Sequence, residues 1–265
     1  MLCVLSPAKS LNLDPVELAV APTQPALMKD ATSLMRTMRG LSQTKLRELM
    51  GLSADLAKLN HERYRSFELP FDATNALPAA TMFNGDVYRG LSARTLTEAD
   101  LRWGQDHVAI LSGMFGLLRP LDLIQPHRLE MGTRLRTRRG ASLYAFWGDS
   151  IAKQIARVVA EHDDRTLVNL ASGEYFKAVR TSKLTGPVVN CLFHDWKDDQ
   201  RSPNVISFLA KYARGLMARF IIEQRVDRAD GLKDFAVDRY TFQPDRSSAD
   251  TLVFGRAFVP AGAAR

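Results

Sequence analysis

Residues 1–6, MLCVLS, are apolar throughout and do not alternate. Such a strand must be covered on both faces, as strands inside a parallel sheet flanked by helices are. Short apolar runs recur at 80–83, 108–112, 166–170 and 187–193, the last strongly β-branched. Helical periodicity fills the intervals. Thr97 can cap a helix reaching about Asp106, 142–161 is amphipathic, 172–179 is a shorter helix, and 206–226 is the longest helical pattern. Residues 128–137 alternate as an exposed or edge strand does, and 235–258 alternate around the turn-rich 244–250. Strands interleaved with helices predict an α/β fold, with α+β as the alternative.

Between the first and second apolar runs the pattern is helical. After an extended connection marked by Pro15, Pro22 and Pro25, the set Leu27, Met28, Ala31, Leu34, Met35 and Met38 falls at helical spacing and Gly40 closes it. Ser42 is placed to cap a second helix, Gly51-Leu52-Ser53 turns the chain, and Ser53 can cap a third helix running through Leu56, Leu59 and Tyr64. With no repeat or linker, the expectation is one compact mixed-sheet domain over residues 1–265 carrying a helical insertion at about 25–67.

Composition narrows the function classes. The N-terminus has no basic leader, and no segment approaches the roughly 20 apolar residues that span a bilayer, so a cytoplasmic protein away from membranes is expected. Cys3 and Cys191 sit in strand-like runs and read as buried, reduced thiols. The five histidines show no metal-ligand spacing, so neither metal nor cofactor is expected. A net charge of +7 favours polyanionic partners or simply serves solubility. Oligomeric state is not written in the chain.

Two groups of residues are candidates for function. The first is LRELMGLSADLAKLN at 46–60, where two short helices meet at Gly51. In a helix-hairpin-helix such a turn offers backbone N–H groups to a phosphate, and the next helix adds its positive N-terminal end. Lys45, Gly51, Ser53, Lys58 and Arg63 are the DNA-binding candidates, and residues 36–65 hold seven Lys/Arg against three Asp/Glu. A plain helical hairpin with a solvated basic face is the alternative. The second group is threaded through LSGMFGLLRPLDLIQPHRLEMG at 111–132 and runs like it. Lys9, Asp86, Arg119, Glu174 and Lys177 each follow a predicted strand, where open α/β sheets gather ligand groups. Arg119 and Arg128 can grip phosphate or carboxylate, and Glu130 and Glu174 can accept protons or balance the cations. A buried ion-pair network holding loops is the alternative. On a strand, Arg134, Arg136 and Arg138 would share one face, suited to a phosphate backbone or to a solvated edge; Arg139 adjoins them.

These runs share one grammar of strand end, small residues and charge. SPAKS at 6–10, FNGDVYRGL at 83–91, LSGMFGLLRPLD at 111–122, PHRLEMG at 126–132, NLASGEYFKAV at 169–179 and ARGLMARF at 213–220 together resemble the YaaA family of peroxide stress proteins. The family pattern has Tyr where His127 stands, and reads G-L-Y-G where Met114 and Phe115 stand. The resemblance implies a cytoplasmic bacterial protein that limits the free iron available to react with peroxide. It also implies a single-domain α/β fold with a positively charged cleft and a helix-hairpin-helix associated with DNA. It favours double-stranded or distorted DNA as partner. An enzyme acting on a small anionic or nucleotide-like substrate is the rival reading.

Overall fold

β1 (Leu2–Leu5) is buried along its length, and parallel strands hydrogen-bond to it on both sides. The computed structural model describes residues 1–196 and 205–257. A mixed sheet of seven strands carries the fold. The strands after β1 are β2 (Val108–Ser112), β3 (Gly116–Leu118), β4 (Leu167–Asn169), β5 (Val188–Trp196), β6 (Thr241–Phe242) and β7 (Thr251–Ala257). They lie in the order β6-β7-β5-β4-β1-β2-β3. β7, β5, β4, β1 and β2 are parallel, while β3 and β6 close the edges antiparallel. The main hydrophobic core extends from Met1 to Phe254, with a small second cluster of Val20, Leu101 and Leu121, and the expected single α/β domain is what forms. Cys3 and Cys191 are buried free thiols, as expected.

The insertion folds as its caps dictate. α1 (Met28–Arg39), α2 (Gln43–Met50) and α3 (Ala54–Ser66) follow one another, and the hydroxyls of Ser42 and Ser53 accept the amides of Lys45 and Leu56, both at 3.3 Å. Arg39 ties the end of α1 to the end of α3, donating to the Tyr64 carbonyl at 2.9 Å and to the Phe67 carbonyl.

The apolar run at 80–83 is not a strand. Ala79–Met82 makes one helical turn, α4, after Pro78, and only Phe83–Asn84 pairs, with Ser10–Leu11. A short apolar run carries no periodicity to separate the two cases. α5 (Asp86–Leu91) follows, then α6 (Glu98–His107), whose Thr97–Asp100 capping box matches its expected start.

The alternation at 128–137 is real in burial but not in pairing. Leu129, Met131, Thr133 and Leu135 are buried, yet the segment joins no sheet among the described residues, apart from an isolated bridge between Thr137 and Gly140. It lies backbone-first against Gly113, where a Cβ would run into the Leu129 carbonyl. The expected helix at 142–161 is broken into α7 (Leu143–Trp147) and α8 (Ser150–Val159), because Gly148 adopts φ 48°, ψ −118°. That conformation belongs to glycine.

α9 (Gly173–Phe176) is shorter than expected, and α10 (Ser207–Glu223) is the longest helix described. In the tail, β6 and β7 flank one 3-10 turn, and residue 258 lies outside the described residues. α10 crosses α5 at van der Waals range. A Cβ on Gly90 would meet the Tyr212 carbonyl, and one on Gly215 the Val87 carbonyl. Two glycines thus set the wall of the region beyond the strand ends.

Candidate functional site

From β1 the chain goes to β2 on one side and, later, to β4 on the other. That divergence opens a crevice beyond the carboxyl ends of the strands, where ligands of open α/β sheets bind. Here it holds a cleft of about 430 Å³, lined from the β1 exit (Ser6–Ser10), α5, Glu130, the α9 turn and α10. Short bonds fix its floor. Ser6 Oγ accepts the Ser172 amide at 2.9 Å, and the Tyr88 hydroxyl donates to the Ser6 carbonyl at 3.0 Å.

Lys9, Asp86, Glu130 and Glu174 line this cleft together. Glu130 serves two cations: Oε2 lies 3.0 Å from Lys9 Nζ, and Oε1 accepts Arg128 Nη2 at 2.9 Å and Nε at 3.2 Å. Arg128 sits in a small adjoining recess with Ser112 and His127. Its carbonyl accepts the Tyr64 hydroxyl, so α3 of the insertion buttresses the cleft wall. Glu174 Oε1 accepts the Gly132 amide at 2.8 Å. Asp86 pairs with Arg89 at 2.5 Å.

Two candidates stand apart. Lys177 is exposed and lies 5.2 Å from the centre of the Tyr144 ring rather than in the cleft. Arg119 is at the opposite end of the sheet: β3 runs antiparallel to β2, which returns the chain to the amino ends of the parallel strands. There Arg119 faces Asp122 at 3.6 Å, and Asp122 also accepts the Arg119 amide at 2.8 Å and the Thr23 hydroxyl at 2.6 Å. This is a corner brace, in which burial raises the Asp122 carboxyl against those hydrogen bonds. A residue that follows a strand in sequence lies at whichever end of the sheet the strand's direction dictates, and the sequence pattern does not carry that direction.

Lys211 and Arg214 of α10, Tyr88 and Tyr175 also line the cleft, and none of them is a candidate on sequence grounds. The run ARGLMARF contains Arg214, and the i, i+3 spacing of Lys211 and Arg214 is the one signal that could have found them. Burial raises both tyrosine hydroxyls, with Glu174 adding to the effect on Tyr175. Burial also holds the His127 imidazole down to about 4, and Arg63 pushes the same way. The lining cations Lys9, Lys211 and Arg214 are matched in number by Asp86, Glu130 and Glu174, so the cleft is mixed in charge. Among the described residues no three His, Cys, Asp or Glu side chains are grouped to hold a metal ion, and no helix is long and apolar enough to cross a membrane.

At the α2–α3 turn, Gly51 adopts φ 61° and nothing lies within 4 Å of the place a Cβ would occupy. The Gly51 and Leu52 amides both return to the Arg47 carbonyl, closing α2. The amides of Ser53, Ala54 and Asp55 have no backbone acceptor among the described residues. Lys45, Gly51, Ser53 and Lys58 are all exposed. Arg63 is not part of that surface: it is half-buried beside Tyr64, and burial lowers its pKa.

A sequence profile described as "Peroxide stress protein YaaA" matches residues 1–246. A UPF0246 protein of Aromatoleum aromaticum is 48% identical over 260 residues, covering 97% of this chain and 99% of the relative. One from Phenylobacterium zucineum is 48% identical over 264 residues, covering 100% and 98% respectively. A third, from Paracidovorax citrulli, is 49% identical over 257 residues, covering 97% and 98%. With the profile spanning nearly the whole chain, the protein belongs to the YaaA family of peroxide stress proteins.

Proposed function

We propose that this chain serves peroxide defence in the cytoplasm by binding double-stranded or distorted DNA through the α2–α3 hairpin. The observation that carries this is the free N-terminal turn of α3. Among the described residues its first amides lack backbone acceptors and nothing obstructs approach over Gly51, and Lys45 and Lys58 flank it exposed. Such a turn holds one phosphate without reading base sequence, and the surrounding positive charge extends the contact. Limiting free iron serves the same end, since fewer radicals then form from Fe²⁺ and peroxide near the duplex.

Duplex binding measured against salt tests the hairpin. Gly51→Val is expected to weaken binding while the protein stays folded. Reversing Lys45 and Lys58 to Glu should weaken it further and flatten the log–log salt slope by about 0.9 for each phosphate no longer neutralised. Unchanged affinity and slope in both variants would remove the hairpin from the function.

The mixed charge of the cleft supports a second reading, in which it holds a small anionic ligand and acts on it. A groove for DNA backbone alone has no use for Asp86, Glu130 and Glu174 along its lining.

A further inference from the structure

The α10 wall of the cleft carries two cations that no carboxylate of the described residues contacts directly. Lys211 and Arg214 both line the cleft. Three residues apart on one helix, they share a face, and like charges at that spacing disfavour the helix. Lys9 and Arg128 are held by Glu130. Among the described residues, by contrast, neither Lys211 nor Arg214 has an ion pair or a side-chain hydrogen bond, and Arg214 Nε is buried with no acceptor. Arg214 is partly exposed to the cleft, yet a guanidinium N–H shut away from water without an acceptor is costly, which points to an anion that completes it. Arg214 is also fixed at its root, because the next residue, Gly215, is pressed against the α5 backbone. Burial lowers the Arg214 pKa, with Cys191 acting the other way.

This wall presents two positive charges without a contacting carboxylate among the described residues. A phosphate monoester carries about −1.5 to −2 at neutral pH, whereas a carboxylate or an internal DNA phosphate carries one negative charge. A guanidinium fork matches phosphate oxygens in geometry as well as charge. Ser172 lines the same cleft, and its hydroxyl already accepts from Ser6 Oγ at 3.3 Å, leaving its own proton to donate.

We propose that Lys211 and Arg214 seat a phosphate monoester in the cleft, either the phosphate of a small molecule or the terminal phosphate of a DNA strand. This rests on the cleft being a ligand site and is independent of the hairpin.

The test uses the full chain and inorganic phosphate as the probe, read by melting temperature at constant ionic strength. Phosphate should raise the wild-type melting temperature saturably, and Arg214→Gln or Lys211→Gln should each weaken the apparent affinity about tenfold or more. Lys211 is exposed, so its variant folds even if the other does not. In phosphate-free buffer Arg214→Met should melt higher than wild type, because it removes an uncompensated charge. A second arm compares a blunt duplex with and without 5′-phosphates. Tighter binding of the phosphorylated duplex, abolished in Arg214→Gln, assigns the site to strand ends. Equal binding of the two duplexes, with the phosphate effect intact, assigns it to a small molecule. Unphosphorylated duplex should bind Arg214→Gln as it binds wild type; if wild type fails to bind it, the hairpin reading falls and the phosphate result stands. The proposal is overturned by the absence of a saturable phosphate effect in wild type, by an effect that both Gln variants retain in full, or by a lower melting temperature for Arg214→Met.

Discussion

Glu130 meets both Lys9 and Arg128, and it is the residue at which the readings of the cleft part. Glu130→Gln keeps the shape and deletes charge and basicity. If the cleft only tracks DNA, this variant binds DNA as well as wild type or tighter, and Arg128→Ala binds worse. If the cleft acts on a ligand, Glu130→Gln loses peroxide protection while DNA affinity holds. The side chains are partly exposed, so the stability loss is expected to be about 1 kcal/mol or less; early melting of both variants would reduce the pair to a brace. His127 gives the acid limb of stability. Its Nδ1 lies 2.8 Å from the Gln125 carbonyl and donates to it, and its ring meets Phe83 and Phe115 edge-on. With the folded pKa near 4 against 6.5 unfolded, its contribution is intact above pH 6.5 and is lost as pH falls from 6.5 towards 4. The full span is about 3 kcal/mol. His127→Phe keeps the ring contacts and should flatten this part of the stability–pH curve; an unchanged slope would assign it to other groups. The thiols make a further point. Burial raises Cys3 to about 12 and Cys191 in the same direction, so neither supplies thiolate at neutral pH. Native protein should resist thiol labelling and take two labels only after unfolding. Fast native labelling would show instead a reachable thiol able to react with peroxide directly.

Glycines separate elements that the sequence showed from those it hid. Gly51 and Gly215 look alike in the sequence, yet a Cβ at Gly51 meets nothing and one at Gly215 meets the Val87 carbonyl. Gly51→Ala should therefore cost roughly 1–2 kcal/mol through its left-handed backbone alone. Gly215→Ala should cost a comparable or greater amount by separating α10 from α5, about 1–3 kcal/mol, and it should also weaken whatever the cleft binds. Denaturant titration with a ligand assay distinguishes them, since only the second change reaches the cleft. The caps at Ser42, Ser53 and Thr97 were legible because capping is local: a hydroxyl and an amide within three residues decide it. The break at Gly148 and the unpaired course of 128–137 were not, because each depends on what packs opposite. The same limit separates Lys9, Glu130 and Glu174, which line the cleft, from Arg119, which the reversal of β3 carries to the far end.

Across the whole molecule, the pairing of β1 determines what the chain can build and when. Its neighbours are β2, which starts at Val108, and β4, which starts at Leu167. The cleft lies beyond these strands, so its floor at Ser6–Lys9 cannot be completed until both are in place. That arrangement also explains why the site draws residues from separated runs of sequence and why no single run announces it. For a chain emerging from the ribosome, β1 is made well before either of its partners. At about 5–20 residues per second, β1 waits several seconds for its first partner and longer for its second. Through that interval an unpaired apolar edge of the kind that recruits other chains stays open. Stalled nascent chains ending before residue 108 should therefore be protease-sensitive at the N-terminus and bound by chaperone, with protection appearing only once the chain has passed β4. Its vulnerability is greatest during synthesis, so conditions that slow translation expose this protein for longer before it can fold.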